Sequence, residues 1–274
     1  MSHYLYSMAN FADLIVDALA IAEAADVVEI GAEFGEMSDR LLAHVKMRGG
    51  RFTSIDPAPQ PAFVDWLAAN PAACHVAEPS LIALTHVAPA DAWIVDGDHN
   101  WFTVTRELML IRAACARAGK PLLVFLHDVS WPCARRDFYY APEQIPEEYR
   151  HPHSFTAGAS FAWDGLRPDR GLRGHGQLAL AEHEGGPRNG VLTAVEDFIA
   201  DSRADGAEFC YAHVPAALGL GVVFDASAPW AERLAAHMLP WHENALLAAL
   251  EENRLKNYLD AVELEDERAQ ARAA

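Results

Sequence analysis

The chain has 274 residues, 51 % of them apolar, enough for one large domain with a substantial core or for a domain that carries an insertion. Its 39 acidic and 21 basic residues leave a formal charge of −18, a surface that phosphate backbones repel, so no nucleic-acid partner is expected. No apolar stretch is long enough for a bilayer span and the N-terminus MSHYLYSMAN lacks the basic flank of a secretory signal, so a cytoplasmic protein with no membrane partner is expected.

Hydrophobic periodicity switches repeatedly between two kinds of run. Residues 10–24 read as an amphipathic helix with Asn10 as its N-cap, and DVVEIG (26–31) as a buried strand. A turn and helix follow in 33–47, then a strand, RFTSID (51–56), that ends in an acid. PAFVDWLAAN reads as a helix closed by Asn70-Pro71, residues 73–77 as a short strand, and Ser80 as the start of another helix. The strand in 91–99 runs into a polar tip, residues 101–118 form a helix closed by Gly119, and 121–128 is a strand with a second polar tip. Such alternation predicts an α/β fold with a doubly wound, Rossmann-like parallel sheet whose ligands bind beyond the carboxyl ends of the strands.

The alternation stops near residue 129. Residues 129–190 are rich in Pro, Gly, Arg, His and aromatics and read as a lid or substrate-recognition insertion. Within it, Arg135 and Arg136 are expected to meet a diphosphate or carboxylate, and Trp131, Phe138, Tyr139 and Tyr140 to stack on a sugar or nucleobase. The run Gly185–Gly190 reads either as a hinge or as a turn before a helix. Residues 191–228 complete the core with a helix and two strands joined by the short AALG link, an antiparallel hairpin. Residues 229–274 form an acidic C-terminal helical extension whose apolar face fades after Leu264; a polar helix with nothing beneath it suggests a homo-oligomer. The first segment, 1–128, is then the cofactor-binding part of the core. Cys74, Cys115, Cys133 and Cys210 form no metal-ligand spacing and read as reduced thiols.

The string VVEIGAEFG has the form E-x-G-x-x-x-G. Gly31 and Gly35 let backbone approach a ligand, and the helix behind them offers free N–H groups. Glu29 closes the strand, and Asp56, at the tip of the next one, is suited to gripping both hydroxyls of a ribose. Glu33 inside the turn opposes a pyrophosphate, so the charge favours S-adenosylmethionine, which carries a sulfonium and no phosphate, over a dinucleotide. The second cluster is Asp96-Gly97-Asp98-His99 at one strand tip and His127-Asp128 at the next. Carboxylates and imidazoles grouped in this way suit a divalent metal, and His99 has the ordinary basicity of a general base.

Glu29, Gly31, Gly35, Asp56, Ser80 and the final hairpin together resemble class I S-adenosylmethionine-dependent methyltransferases. That resemblance implies a seven-stranded sheet with an antiparallel last strand, Glu29, Gly31 and Gly35 beside the amino-acid part of the cofactor, Asp56 at its ribose, and Ser80 near its adenine. The strings VDGDH and LHD are further similar to the metal-dependent sugar O-methyltransferases of antibiotic biosynthesis, of the macrocin, mycinamicin and calicheamicin rhamnose type. This implies magnesium at Asp96, His127 and Asp128, with Asp128 the firmer of the second pair, His99 as base, and a small-molecule or sugar-bearing natural product as acceptor. A phenolic or catechol acceptor is the alternative. Outside methyl transfer stand a metal-dependent hydrolase and a non-catalytic binding protein.

Overall fold

The structure, a computed structural model, describes residues 6–273; the first five residues of the N-terminal segment and Ala274 lie outside it. Helix α1 (Ala12–Ile21) is preceded by a 3-10 turn, Met8–Phe11, whose cap is Ser7: its Oγ accepts the Ala9 N–H. The cap is therefore not Asn10, whose amide donates back to Ser7 O. Then follow β1 (Val27–Ile30), α2 (Glu36–Arg48), β2 (Phe52–Ile55), α3 (Pro61–Ala69), β3 (Ala73–Val76), a single turn α4 (Ser80–Ala83), β4 (Ala92–Val95), α5 (Trp101–Ala118) and β5 (Leu123–His127). The expected closures of α3 at Asn70 and α5 at Gly119 are both present.

The insertion holds β6 (Phe138–Tyr139), β7 (His153–Ser154), β8 (Ala157–Ser160), β9 (Trp163–Pro168) and β10 (Ala179–Ala181). After it come α6 (Val191–Ala204), β11 (Phe209–Val214), β12 (Leu220–Asp225), α7 (Ala231–Met238) and α8 (Ala245–Ala273). The main sheet has seven strands in the order β11-β12-β5-β4-β1-β2-β3. Strands β1 to β5 run parallel, and β12 is antiparallel to both neighbours, β5 and β11. This is the expected doubly wound Rossmann-like sheet with its antiparallel hairpin. Strands β1, β4 and β5 are buried throughout, which explains why they are apolar apart from Glu29 in β1 and His127 at the end of β5. One face packs Ile94, Phe125 and Phe224 under α1, α2 and α7; the other packs Trp93, Val124 and Val223 under α5 and α6. The registers Ile30↔Val95 and Val95↔Leu126 bring the C-terminal tips of β1, β4 and β5 side by side. Among the described residues no helix is long and apolar enough to cross a membrane.

Residues 129–190 are not a structureless loop. They fold into a three-stranded sheet, β6-β10-β7, and a two-stranded one, β8-β9. Asp137 pins this unit to the core: fully buried, it accepts the Trp101 N–H (2.7 Å), the Gly190 N–H (2.6 Å) and the Tyr139 hydroxyl (2.8 Å). Of the two readings for residues 185–190, the structure has the turn: the Asn189 side chain bonds both Asp137 N and the Gly185 carbonyl, and a Cβ on Gly190 would lie 2.4 Å from Ala134 O. Replacing Asp137 by alanine leaves three buried donors without an acceptor, and the expected loss is about 3–5 kcal/mol in urea unfolding. A loss below about 1 kcal/mol would show that the insertion is not held this way.

The C-terminal helix is also held by its own chain. Asp266 accepts the Gly171 N–H and pairs with Arg173, both on the insertion, while Glu251 accepts the Leu218 N–H in the β11–β12 turn. A neighbouring subunit is thus not needed to steady α8.

Candidate active site at the tips of β1, β4 and β5

Gly31 sits at φ +82° immediately after β1, where a Cβ would lie 2.1 Å from Asp96 O. Only glycine therefore allows the tips of β1 and β4 to touch. Its N–H donates to Ile55 O (2.9 Å), so the turn leaves β1 along the edge of β2. There Asp56 is fixed by two backbone donors, Ala32 N–H (3.1 Å) and Ala58 N–H (2.9 Å). Glu33 takes φ +45°, and Gly35, at φ +86°, opens α2 against the Phe63 ring.

A pocket lies over this turn, and four carboxylates, Glu29, Glu33, Glu36 and Asp96, are among its lining groups. Glu29 is buried and accepts the Ser38 hydroxyl; burial pushes its carboxyl up to about 8 against that bond, and the Asp96 and Asp56 charges add to the rise. Burial likewise pushes Glu33 up to about 7, helped by Asp96 and Glu36. Burial is the larger cause for both groups, and the neighbouring carboxylates add to it. The pocket fits a positively charged ligand and opposes a pyrophosphate. Ser80 stands apart, half-buried at the start of α4, beside the fully buried Glu107, whose carboxyl burial pushes up to about 8 with the Ser80 hydroxyl opposing. The sequence reading missed Glu107, although its place between Val104, Leu108 and Ile111 puts an acid on the apolar stripe of α5.

The second cluster meets as the strand spacing predicts. One ligand atom from each of Asp96, His99 and Asp128 lies within 4.8 Å of the others. His99 Nε2 is buried and, among the described residues, in no hydrogen bond, yet lies 3.0 Å from Asp128 Oδ2 and 3.8 Å from Asp96 Oδ1. These atoms face a common point instead of satisfying one another, an arrangement that fits a divalent cation. Asp128 is held at φ +60°, a conformation costly for a residue with a Cβ.

His127, expected among the ligands, has a different set of contacts. Its Nε2–H donates to Ala217 O (2.9 Å), and its Nδ1 lies 3.1 Å from Asp96 Oδ1 and 3.3 Å from Asp128 Oδ2. Burial opposes its charge, but the Asp128 and Asp96 carboxylates outweigh this and raise its basicity well above that of free imidazole. His127 thus lies outside the Asp96–His99–Asp128 group and faces both of its carboxylates from the side of Ala217. The carbonyl that fixes its ring belongs to a turn with three successive left-handed residues, Ala217, Leu218 and Gly219. Glu251 from α8 and the Ser130 N–H bond the two polar groups of Leu218.

On the acceptor side, four of the six expected residues are engaged elsewhere, Phe138 among them, buried in β6. Arg135 is paired bidentately with Glu196, Arg136 is buried against Ala181 O, and Tyr139 is fully buried between Asp137 and the His151 N–H. Each was called by residue type, and each type serves equally well for internal bonds. Tyr140 remains, 57 % exposed with its ring 6.1 Å from that of His99, and Trp131 packs on Phe161 at 4.4 Å.

No protein-family model matches this chain, and no curated protein matches its sequence. Solved structures do. The O-methyltransferase TomG of Streptomyces achromogenes, involved in tomaymycin synthesis and solved with S-adenosylmethionine, is 14 % identical at a TM-score of 0.47, over 81 % of this chain and 82 % of that one. A Podospora anserina methyltransferase bound to S-adenosylhomocysteine is 12 % identical at 0.45, over 77 % and 76 %. Likenesses of this size carry no argument about chemistry, which the site itself must supply.

Proposed function

We propose that the protein is an S-adenosylmethionine-dependent O-methyltransferase that uses a divalent cation, magnesium by the hardness of its ligands, to methylate a hydroxyl of a sugar-bearing natural product. One observation carries the reading: Asp96 belongs at once to the acidic pocket after β1 and to the Asp96–His99–Asp128 cluster. A site for a cationic cofactor and a site for a metal-assisted hydroxyl thus share a wall. S-adenosylmethionine brings an electrophilic methyl on a cationic sulfur, and a divalent cation brings a Lewis acid for the acceptor oxygen. Glu29 and Glu33 would face the positive ends of the cofactor, Asp56 would meet its ribose, and Asp96 and Asp128 would hold the metal. His99 Nε2 is placed to take the proton of a hydroxyl whose oxygen would accept the methyl, the cofactor sulfur leaving as a neutral thioether. With Arg135 and Arg136 engaged internally, an acceptor carrying a diphosphate loses its expected partners, which favours a sugar already attached to a neutral aglycone. Tyr140 beside His99 equally suits a flat phenol, the second reading.

Titration calorimetry with S-adenosylmethionine, with and without Mg²⁺, tests this at pH 6 and pH 8. Glu33 and Glu29 ionise only as pH passes about 7 and about 8 in the free protein. At pH 6 a cationic ligand must first drive off their protons, so affinity rises from pH 6 to 8. The sign for folding is opposite. Carboxyls raised above their unfolded values near 4.5 make the empty protein most stable below that value, and the contribution is lost as pH climbs from there through 7 to 8. Absence of binding under all four conditions sinks the proposal.

A further inference from the structure

A second set of complementary side chains meets near the edge of the sheet, independent of the methyl-transfer reading. Ser130 Oγ lies 2.8 Å from His213 Nε2, and His213 Nδ1 lies 2.9 Å from Glu243 Oε1. The three residues come from the loop after β5, the edge strand β11 and the turn between α7 and α8. Each is placed by backbone bonds: the Ser130 N–H donates to Leu218 O (2.8 Å), and the Glu243 N–H donates to His213 O (2.8 Å). Glu243 holds a left-handed φ of +48°, and Gly219 makes room for the serine, since a Cβ there would lie 2.4 Å from Ser130 Oγ.

The order is that of nucleophile, base and orienting carboxylate. Glu243 accepts the Nδ1 proton, which leaves the Nε2 lone pair toward the serine hydroxyl. A purely structural tie between β11 and the α7–α8 turn needs less: the Glu243 N–H on His213 O and the His213 N–H on His242 Nδ1 (3.0 Å) already make it. Tyr211 lies on the same face of β11, two residues before His213. Its buried hydroxyl has no hydrogen-bond partner among the described residues and lies against Gly221, the residue paired with His213. That face therefore carries an uncommitted donor as well as a nucleophile and a base.

We propose that Ser130 is an activated nucleophile and that the protein transfers or hydrolyses small, uncharged acyl esters there; the His213 side chain is only 13 % exposed, which disfavours a bulky acyl group. Ser130 Oγ bonds to the ester carbonyl carbon while His213 Nε2 takes its proton. The bond from that carbon to the alcohol oxygen breaks, and the alcohol leaves with the proton from His213. Water, deprotonated in turn by His213, releases the carboxylic acid and restores the serine hydroxyl.

The test uses the full chain with an alkyl fluorophosphonate and with p-nitrophenyl acetate. With the fluorophosphonate an O–P bond forms at Ser130, the P–F bond breaks, and fluoride and the serine proton leave as HF. One adduct per chain, located on Ser130 by peptide mass spectrometry, is expected. It is absent in Ser130→Ala, and the labelling rate falls roughly 100-fold or more in His213→Gln. No adduct on Ser130 in the folded wild-type protein overturns the proposal whatever the variants do. So does hydrolysis of the acetate by Ser130→Ala at the wild-type rate. Binding of S-adenosylmethionine, measured separately, is unaffected by either outcome.

Discussion

Gly31→Ala is expected to remove cofactor binding and to cost about 3–5 kcal/mol of stability. Two effects add. The backbone sits at φ +82°, where any Cβ is strained, and the new methyl would lie 2.1 Å from Asp96 O and 2.6 Å from the Asp96 carbonyl carbon. Those atoms are backbone at the tip of a buried central strand and cannot rotate away like the end of a side chain. Relief requires β1 and β4 to separate at their tips, which moves Glu29 and Asp96 apart and opens the acidic pocket they share. Thermal unfolding and calorimetry with S-adenosylhomocysteine read both consequences. A variant that keeps wild-type affinity would mean that the cofactor does not lie over this turn. Gly119→Ala is a useful contrast, because it has a similar φ of +64° with nothing within 4 Å of the added Cβ. Its cost should be that of backbone strain alone, about 1 kcal/mol.

Asp128→Asn is expected to lower methyl transfer roughly 100- to 1000-fold and to weaken divalent-cation binding in parallel. Asparagine keeps the shape and tolerates the left-handed backbone at φ +60°, so charge is the main change. His127 then loses one of the two carboxylates that its Nδ1 faces, while its bond to Ala217 O remains. Titration with Mn²⁺ followed by electron paramagnetic resonance measures metal affinity without turnover. The same measurement separates the two roles that geometry allows His99. As the base, His99→Gln lowers the rate roughly 100-fold and leaves Mn²⁺ affinity within a few-fold of wild type. If affinity falls as far as the rate, His99 is a third ligand and another group takes the proton.

What was legible from residue order is whatever repeats or is bounded locally. Strands β1, β4 and β5 show as apolar runs, interrupted only by Glu29 and the terminal His127, because both faces of a central parallel strand are buried. Helix α5 declares its C-terminal end with Gly119, since the unpaired carbonyls of a helix terminus need a left-handed residue close by. Asn10 misled because either Ser7 or Asn10 suits a helix start, and only the path of the preceding chain selects Ser7.

The site divides along the same line. The polar tips of the strands, from Glu29 and Gly31 to Asp96, His99 and Asp128, could be named from sequence because a parallel sheet brings the C-terminal ends of neighbouring strands together whatever the connecting helices are. The division of labour within the cluster could not. Whether His127 ligates or orients depends on a carbonyl 90 residues away, at Ala217, and on a turn held from α8. The fates of Arg135, Arg136 and Tyr139 depend on Glu196, Ala181 and Asp137, which nothing in the local sequence pairs with them. Sequence by itself determined the doubly wound sheet, the cation-favouring turn and the carboxylate–imidazole cluster, because periodicity and strand-end chemistry are local properties. Tertiary structure alone decided which polar groups are free to act, because that depends on which partners long-range packing has already supplied.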